Sequence, residues 1–482
     1  MNTFLFQLTN PNVNVSIILP EVIVAVAGIV VILYDTFFPK QRTVTGIISI
    51  VGLSLAGIVL YTMWSDGTTA PNAWNGMIVN DNLRLSFSFV FLLVTAMTVL
   101  ISTVWTERED VPIGEYHCLL LFATVGMMFM ASGNDLVVIF LGLETSSIAT
   151  YVMAGLRRSD LRSNESSMKY FILGSFASAF LLYGMALIYG ATGTTNITEI
   201  AAKVADPNFP ALLLIGAAML IVGFGFKVAT VPFHVWTPDV YEGAPTPVTA
   251  FMAAGPKTAA FASFVRVFVL GFPLVAGAQA SGVLHESWIT ALTVIAMLTM
   301  TVGNVAAIVQ NNVKRMLAYS SIAHAGYALV GFIGAGMAKT DAARDAAIAS
   351  VAFYMLTYAV TNLGAFAVVT LLAQKNDRRT EFEDYNGIGF KTPVLAFSLS
   401  LFMLSLLGLP LTAGFMGKVL VFRPALEAGN TLLTLLVVVA VVNTAISAYY
   451  YLRLIVVMFF RELADEWIAP RIPAALAAVL VI

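Results

Sequence analysis

Apolar residues in this chain run on without alternation, in blocks of about twenty separated by short polar or glycine-rich links. A helix of that length rises ~30 Å, the thickness of a bilayer's hydrocarbon core. The blocks fall near 16–34, 43–64, 85–105, 115–133, 135–155, 168–191, 209–231, 247–270, 288–310, 316–336, 348–374, 392–421 and 431–460. Each is predicted to be a spanning helix, and they are numbered here as spans 1 to 13. A further run begins near 472 and stops at Ile482. About ten residues cannot cross a bilayer, so 461–482 is expected to hold the start of a fourteenth span. The pattern predicts an all-α polytopic membrane protein with about 14 transmembrane helices.

Composition strengthens that reading. The 482 residues are 59% hydrophobic and 11% charged, against about 25% charged in a soluble domain. A net charge of -2 gives no basic face for nucleic acid. The single cysteine, Cys118, excludes an intramolecular disulfide, a cysteine-ligated iron–sulfur cluster and a zinc knuckle. The first apolar run carries Glu21 and lacks a basic leader or a small-residue cleavage site, so it reads as a retained helix.

The basic residues orient the spans. Links after odd-numbered spans, counted with Lys169, hold 15 Lys/Arg, links after even-numbered spans hold five, and five of the 25 lie within spans. Positive residues favour the cytoplasmic side, which places the odd links there and the N-terminus outside.

Candidate chemistry lies where charge interrupts apolar sequence: Glu144, Lys227, Lys257 and Lys418. A charge at membrane depth costs roughly 2.5–3.5 kcal/mol even on a lenient scale, so such residues mark function. Buried lysine can lose its proton near neutral pH, which suits a relay. Spans 4–8 and 9–13 read as two five-helix units. Each has a titratable residue in its second helix (Glu144; His324), one in its fourth (Lys227; Lys418) and a basic residue in its fifth (Lys257; Arg453). The fourth helix of each also carries a breaker, Pro232 or Pro410. An odd number of spans per unit makes the two units inverted. The expected organisation is spans 1–3 over 1–110, the first unit over 111–271 and the second over 288–460, with spans 7 and 12 broken. A broken helix frees backbone groups that protein or water must satisfy, so it implies a hydrated cavity. A packing kink is the plainer alternative.

The runs FKVATVPFHVWTPDVYEGAPTPVTAFMAAGPKTAAF and VKRMLAYSSIAHAGY resemble the antiporter-like membrane subunits of respiratory complex I, the proton-pumping NADH:quinone oxidoreductase. Within that family GFMGKVLVF and AYYYLRLIVVMFF resemble the N-type branch, whose mitochondrial counterpart is NADH dehydrogenase subunit 2; the M-type branch has glutamate in place of Lys418. The resemblance implies a proton-translocating subunit with no redox centre of its own. NADH, flavin, iron–sulfur clusters and quinone would belong to partner subunits. It also implies neighbouring membrane subunits and a bacterial inner membrane location. By matching motif, Glu144 resembles the carboxylate that pairs with Lys227, Lys257 the central lysine, and Lys418 the terminal exchanger. His324 would bridge Lys257 and Lys418 through water, or simply hydrogen-bond a neighbouring span. His234, Lys314 and Arg453 are possible supporting residues. A D-type subunit of a multisubunit cation/proton antiporter is the alternative, and would use the same charges.

Other residues have plainer expectations. Glu21 and Asp35 would sit near the ends of span 1, reaching interfacial water. Lys314 and Arg315 would anchor span 10, and Arg266 and Arg453 would pair with carboxylates or carbonyls, or reach an interface. DRRTEFEDYNGIGF would lie along the membrane surface or dock a partner. The GFGF glycines would allow close helix approach.

Overall fold

The computed structural model describes residues 14–39, 41–67, 70–109, 111–463, 470 and 472–481. Among these, 12 helices are long and apolar enough to cross a membrane. Spans 1 to 6 are Leu19–Phe37, Arg42–Ser65, Asn82–Glu109, Ile113–Ser132, Leu136–Ala154 and Leu161–Thr192. Span 8 is Thr246–Phe264 with a π-helical end Val265–Leu270, and spans 9, 10, 11 and 13 are Gln279–Ile308, Val313–Gly336, Asp341–Leu372 and Thr431–Phe460. Both expected breaks are present. Span 7 is Pro210–Val228 followed by the half-helix Thr237–Gly243, and span 12 is Pro393–Leu407 followed by Ala413–Glu427. A last helix, Ala474–Val481, begins the further run.

Short polar residues start the helices. Asp135, Asp160, Asn312, Thr340, Thr412 and Asn430 each accept a backbone N–H in the first turn of the helix that follows. Such caps satisfy first-turn amides that have no partner within the helix.

The two units share one backbone device. Leu136 N donates to Thr195 O at 2.9 Å and Ile197 N to Asn134 O at 2.8 Å; Val313 N donates to Thr380 O at 2.7 Å and Phe382 N to Asn311 O at 2.8 Å. In each unit the start of the second helix is thereby tied to the link following the third. Five spans separate the two devices, and an odd count of crossings puts them on opposite faces. The first half-helices of spans 7 and 12 also end alike, on left-handed residues Ala229 (φ +61) and Gly408 (φ +85). Each is followed by the same hydrogen bond five residues back, Thr230 N to Gly225 O at 2.8 Å and Leu409 N to Leu404 O at 3.0 Å.

Spans 8, 10 and 11 form the centre, with about nine-tenths of their apolar windows buried, whereas spans 1, 2, 6, 9 and 13 keep an apolar face outward. Lipid is the solvent for that face. One sequence expectation changes here. Glu21 does not reach the interface: it is 1% exposed and meets the fully buried Arg84 at 2.7 Å, because a carboxylate inside the bundle needs a cation. The DRRTEFEDYNGIGF segment keeps Arg378, Glu381, Glu383 and Phe390 exposed and turns its other face inward. Asp377, Phe382, Tyr385 and Ile388 are buried in the protein.

Candidate functional site

The broken helices deliver amines to the middle of the bundle. Lys227 is the next-to-last residue of the first half of span 7 and is 7% exposed. Its Nζ donates to Ser147 Oγ on span 5 at 2.5 Å and faces the rings of Tyr151 and Tyr170 at 5.4 and 5.8 Å. Gly174 leaves room for the Tyr151 hydroxyl, since a Cβ there would collide with it. Glu144 lies one turn from Ser147 and accepts the hydroxyl of Ser178 on span 6. It is half-buried and not in contact with Lys227, yet near enough to act on it through space. Carboxylate and ammonium thus rest on different serines, Ser178 and Ser147.

A small void lined by Ser146, Ser147, Thr150, Lys227 and Pro256 leads from this amine toward span 8. Lys257 follows Pro256 and is 2% exposed. Its Nζ donates to Ser321 Oγ at 2.5 Å and Ser321 O at 3.1 Å on span 10, and Tyr358 donates to the same hydroxyl oxygen at 2.8 Å. One turn further along span 10, His324 lies between the Tyr354 hydroxyl at 2.7 Å and the Tyr451 hydroxyl at 3.2 Å. Both Lys257 and Lys418 act on His324 through space. Lys418, 4% exposed, sits in the second half of span 12. It reaches back over the break to the Leu407 carbonyl at 2.8 Å, with its Nζ 4.6 Å from the Tyr327 ring centre.

The shared device lets the units be laid in register. Leu136 matches Val313, so Glu144 matches Ser321 and Ser147 matches His324. The left-handed caps match Ala229 with Gly408, so Lys227 matches Leu406 and not Lys418. The unit chemistry thus does not repeat residue for residue, although the fold does. Arg453 is not a counterpart of Lys257 either. It lies near the far end of span 13 and donates to Gln310 O and Asn311 Oδ1, both at 3.0 Å.

Of the remaining candidates, His234 lies half-buried in the break of span 7. Arg266 forms a two-pronged contact with Asp81 at 2.7 and 3.0 Å. Burial would raise the Asp81 carboxyl, and the guanidinium outweighs it, leaving Asp81 below its ordinary value. Lys314 is 1% exposed and donates to Ala244 O at 2.7 Å. Sequence reasoning missed the hydroxyl partners Ser147, Tyr151, Ser321, Tyr354, Tyr358 and Tyr451. The signal was the spacing of three from Glu144 to Ser147 and from Ser321 to His324, which puts each pair on one helix face. No group of three or more acidic, histidine or cysteine side chains able to hold a metal occurs among the described residues.

Two inverted units with breaks, amines and hydroxyls along their centre define an antiporter-like membrane subunit. The chain belongs to the NADH:quinone oxidoreductase/Mrp antiporter transmembrane family, whose model matches residues 133–446. It is 46% identical to NADH-quinone oxidoreductase subunit N of Trichlorobacter lovleyi, covering 97% of this chain and 92% of that one. With NADH-quinone oxidoreductase subunit N 1 of Solibacter usitatus it shares 42% identity over 95% of this chain and 91% of that one. Its fold matches a chain of respiratory complex I from Thermus thermophilus with TM-score 0.78, 36% identity, and 96% and 95% coverage. A chain of the Mrp complex from Dietzia matches in fold alone, with TM-score 0.79, 21% identity, and 94% and 81% coverage.

Proposed function

We propose that this chain is the N-type proton-translocating membrane subunit of a bacterial proton-pumping NADH:quinone oxidoreductase, driven by redox chemistry in its partners. The observation that carries the reading is the succession of buried amines, Lys227 and Lys418 at the two helix breaks and Lys257 within the continuous span 8, each held by hydroxyls or a carbonyl. An ammonium donating to a serine hydroxyl can pass a proton along it and be recharged, whereas a directly contacting carboxylate with no other cation beside it would hold the charge in place. Glu144 tunes Lys227 through space, Lys257 joins the units, and His324 links Lys257 to Lys418 through the tyrosines. His234 supports the break of span 7, and Arg453 fixes the end of span 13. Residues 111–271 and 288–460 act as two half-channels.

NADH, flavin, iron–sulfur clusters and quinone belong to the partners in this reading, and the N-terminus faces outward. The assembled complex carrying Lys227→Ala tests it. Quinone-linked proton uptake by membrane vesicles is expected to fall tenfold or more with assembly intact, and normal uptake would overturn the reading. Orientation is checked with single cysteines at Arg158 and Thr194 after removal of Cys118. An impermeant thiol reagent added to intact cells should label the second and spare the first.

A further inference from the structure

Apart from the central amines, the densest buried charge lies where the links after spans 3, 5, 7, 9 and 11 meet. Asp377, 3% exposed, is its centre. Its carboxylate lies 3.2 Å from Lys314 Nζ, 3.3 Å from Arg157 and 3.7 Å from Arg108, and it accepts the Thr246 N–H at 3.2 Å. Each of these partners comes from a different part of the chain. The segment presenting Asp377 is strained, with Gln374, Asn376 and Asp377 at φ +56, +60 and +49. Such backbone persists only where the surroundings enforce it, and strain of this kind gathers at functional sites.

The knot is joined to the amine line. Lys314 donates to Ala244 O at 2.7 Å and Arg157 to Gly243 O at 3.3 Å, so both cations meet the carbonyl end of the Thr237–Gly243 half-helix. One turn back on that half-helix, Tyr241 places its ring 5.7 Å from Lys257 Nζ. Along span 10, Ser321, which holds Lys257, lies seven residues beyond Lys314 on the same face, about 10.5 Å along the axis. Lys314 therefore sits two turns beneath the central amine.

We propose that Lys314 is a proton-loading site on this face that supplies Lys257, with Asp377 as its positioning residue. This rests on the proton-translocating reading given above. Arginine is never deprotonated in a protein, so of the three cations around Asp377 only Lys314 can give up a proton. Arg157 and Arg108 keep the carboxylate partnered whether or not Lys314 is charged. Asp377 is then a constant negative charge that draws the next proton onto Lys314. In the transfer, the Lys314 ammonium becomes an amine and an unprotonated Lys257 becomes an ammonium, with water at the loop face returning a proton to Lys314.

The test uses the assembled complex in vesicles, measuring quinone-dependent NADH oxidation and proton uptake. Lys314→Arg keeps the charge and the contact to Asp377, so a structural cation tolerates it and a loading site does not. A tenfold or greater loss of uptake is expected, with assembly intact. Lys257→Arg is the control. If it fails while Lys314→Arg pumps normally, the loading site is wrong and the translocation reading stands; if both pump normally, both are wrong. Asp377→Asn should move the high-pH limb of the uptake profile to lower pH, whereas a purely structural role lowers uptake equally at every pH. Asp377, Arg157, Asp160, Arg162 and Arg108 are the charges surrounding Lys314. Should Asp377→Asn fail to assemble, Lys314→Arg alone decides.

Discussion

The two units solve one problem by different means. In the first, Lys227 reaches the break of span 7 from the half-helix before it; in the second, Lys418 reaches the break of span 12 from the half-helix behind it, folding over Gly408 to the Leu407 carbonyl. In register, the position of Lys227 is Leu406, a buried apolar residue. The first unit offers its amine a serine with a carboxylate nearby on another serine, and the second offers a carbonyl and an aromatic ring with a histidine nearby. What repeats is the place where an amine ends, not the residue that carries it. Backbone breaks are fixed by the fold, and any side chain long enough to reach one can use its unpaired carbonyls and water. A lysine has that length from either direction.

The largest expected effect falls on the residue that both units share. Lys257→Arg keeps the charge and removes proton release, so an assembled complex should lose at least about nine-tenths of its quinone-linked proton uptake, much as Lys257→Ala does. If arginine pumps normally, Lys257 is a fixed counter-charge and the units are not joined through it. Next in size is a transplant. Lys418→Ala should cut uptake severely, and Leu406→Lys in that background should restore a measurable part, because it places an amine where the first unit has one. No recovery in a correctly assembled double variant would mean that the side of the break matters as well as the break itself.

Smaller effects separate the caps. Gly408→Ala puts a side chain at φ +85 against the Lys418 stem, and should cost about 1–2 kcal/mol by thermal unfolding. Ala229→Gly, at φ +61, should change stability by less than about 1 kcal/mol. Equal and opposite responses would show the two caps to be interchangeable. The least effect concerns the Asp81–Arg266 contact, which ties the first unit to span 3 and has no acidic equivalent at Arg453 among the described residues. Because the folded Asp81 carboxyl lies below its ordinary 3.8, its stabilising contribution is full above that value and is lost as pH falls beneath it. Asp81→Asn should therefore lower the melting temperature modestly at pH 7 and converge with the parent only under strong acid.

Much of the fold was legible because its signals are local. Spanning length, the cost of a lone charge and the effect of proline on a helix are properties of short stretches, so thirteen spans, two breaks and the buried lysines could be read directly. The breaks came within a few residues of Pro232 and Pro410. The expectation for Glu21 failed because its partner, Arg84, is distant in sequence, and a carboxylate near a helix end carries no mark of where it will point. The paired positions assumed for Lys227 with Lys418, and for Lys257 with Arg453, were matched by order along the units. The true register depends on hydrogen bonds between links some sixty residues apart.

By itself, then, the sequence determined that this chain lives in a bilayer, how many times it crosses, which links share a face, and which side chains carry charge at membrane depth. The energy of moving peptide and charge into hydrocarbon is large enough to settle those matters one segment at a time. Only the tertiary structure decided what each amine touches. Serine and tyrosine are ordinary residues in membrane helices, and whether one becomes the acceptor of a buried ammonium depends on packing between helices far apart in the chain. Asp377 makes the same point: one charged residue in a charged link becomes the centre of a buried knot because four other stretches of chain close around it.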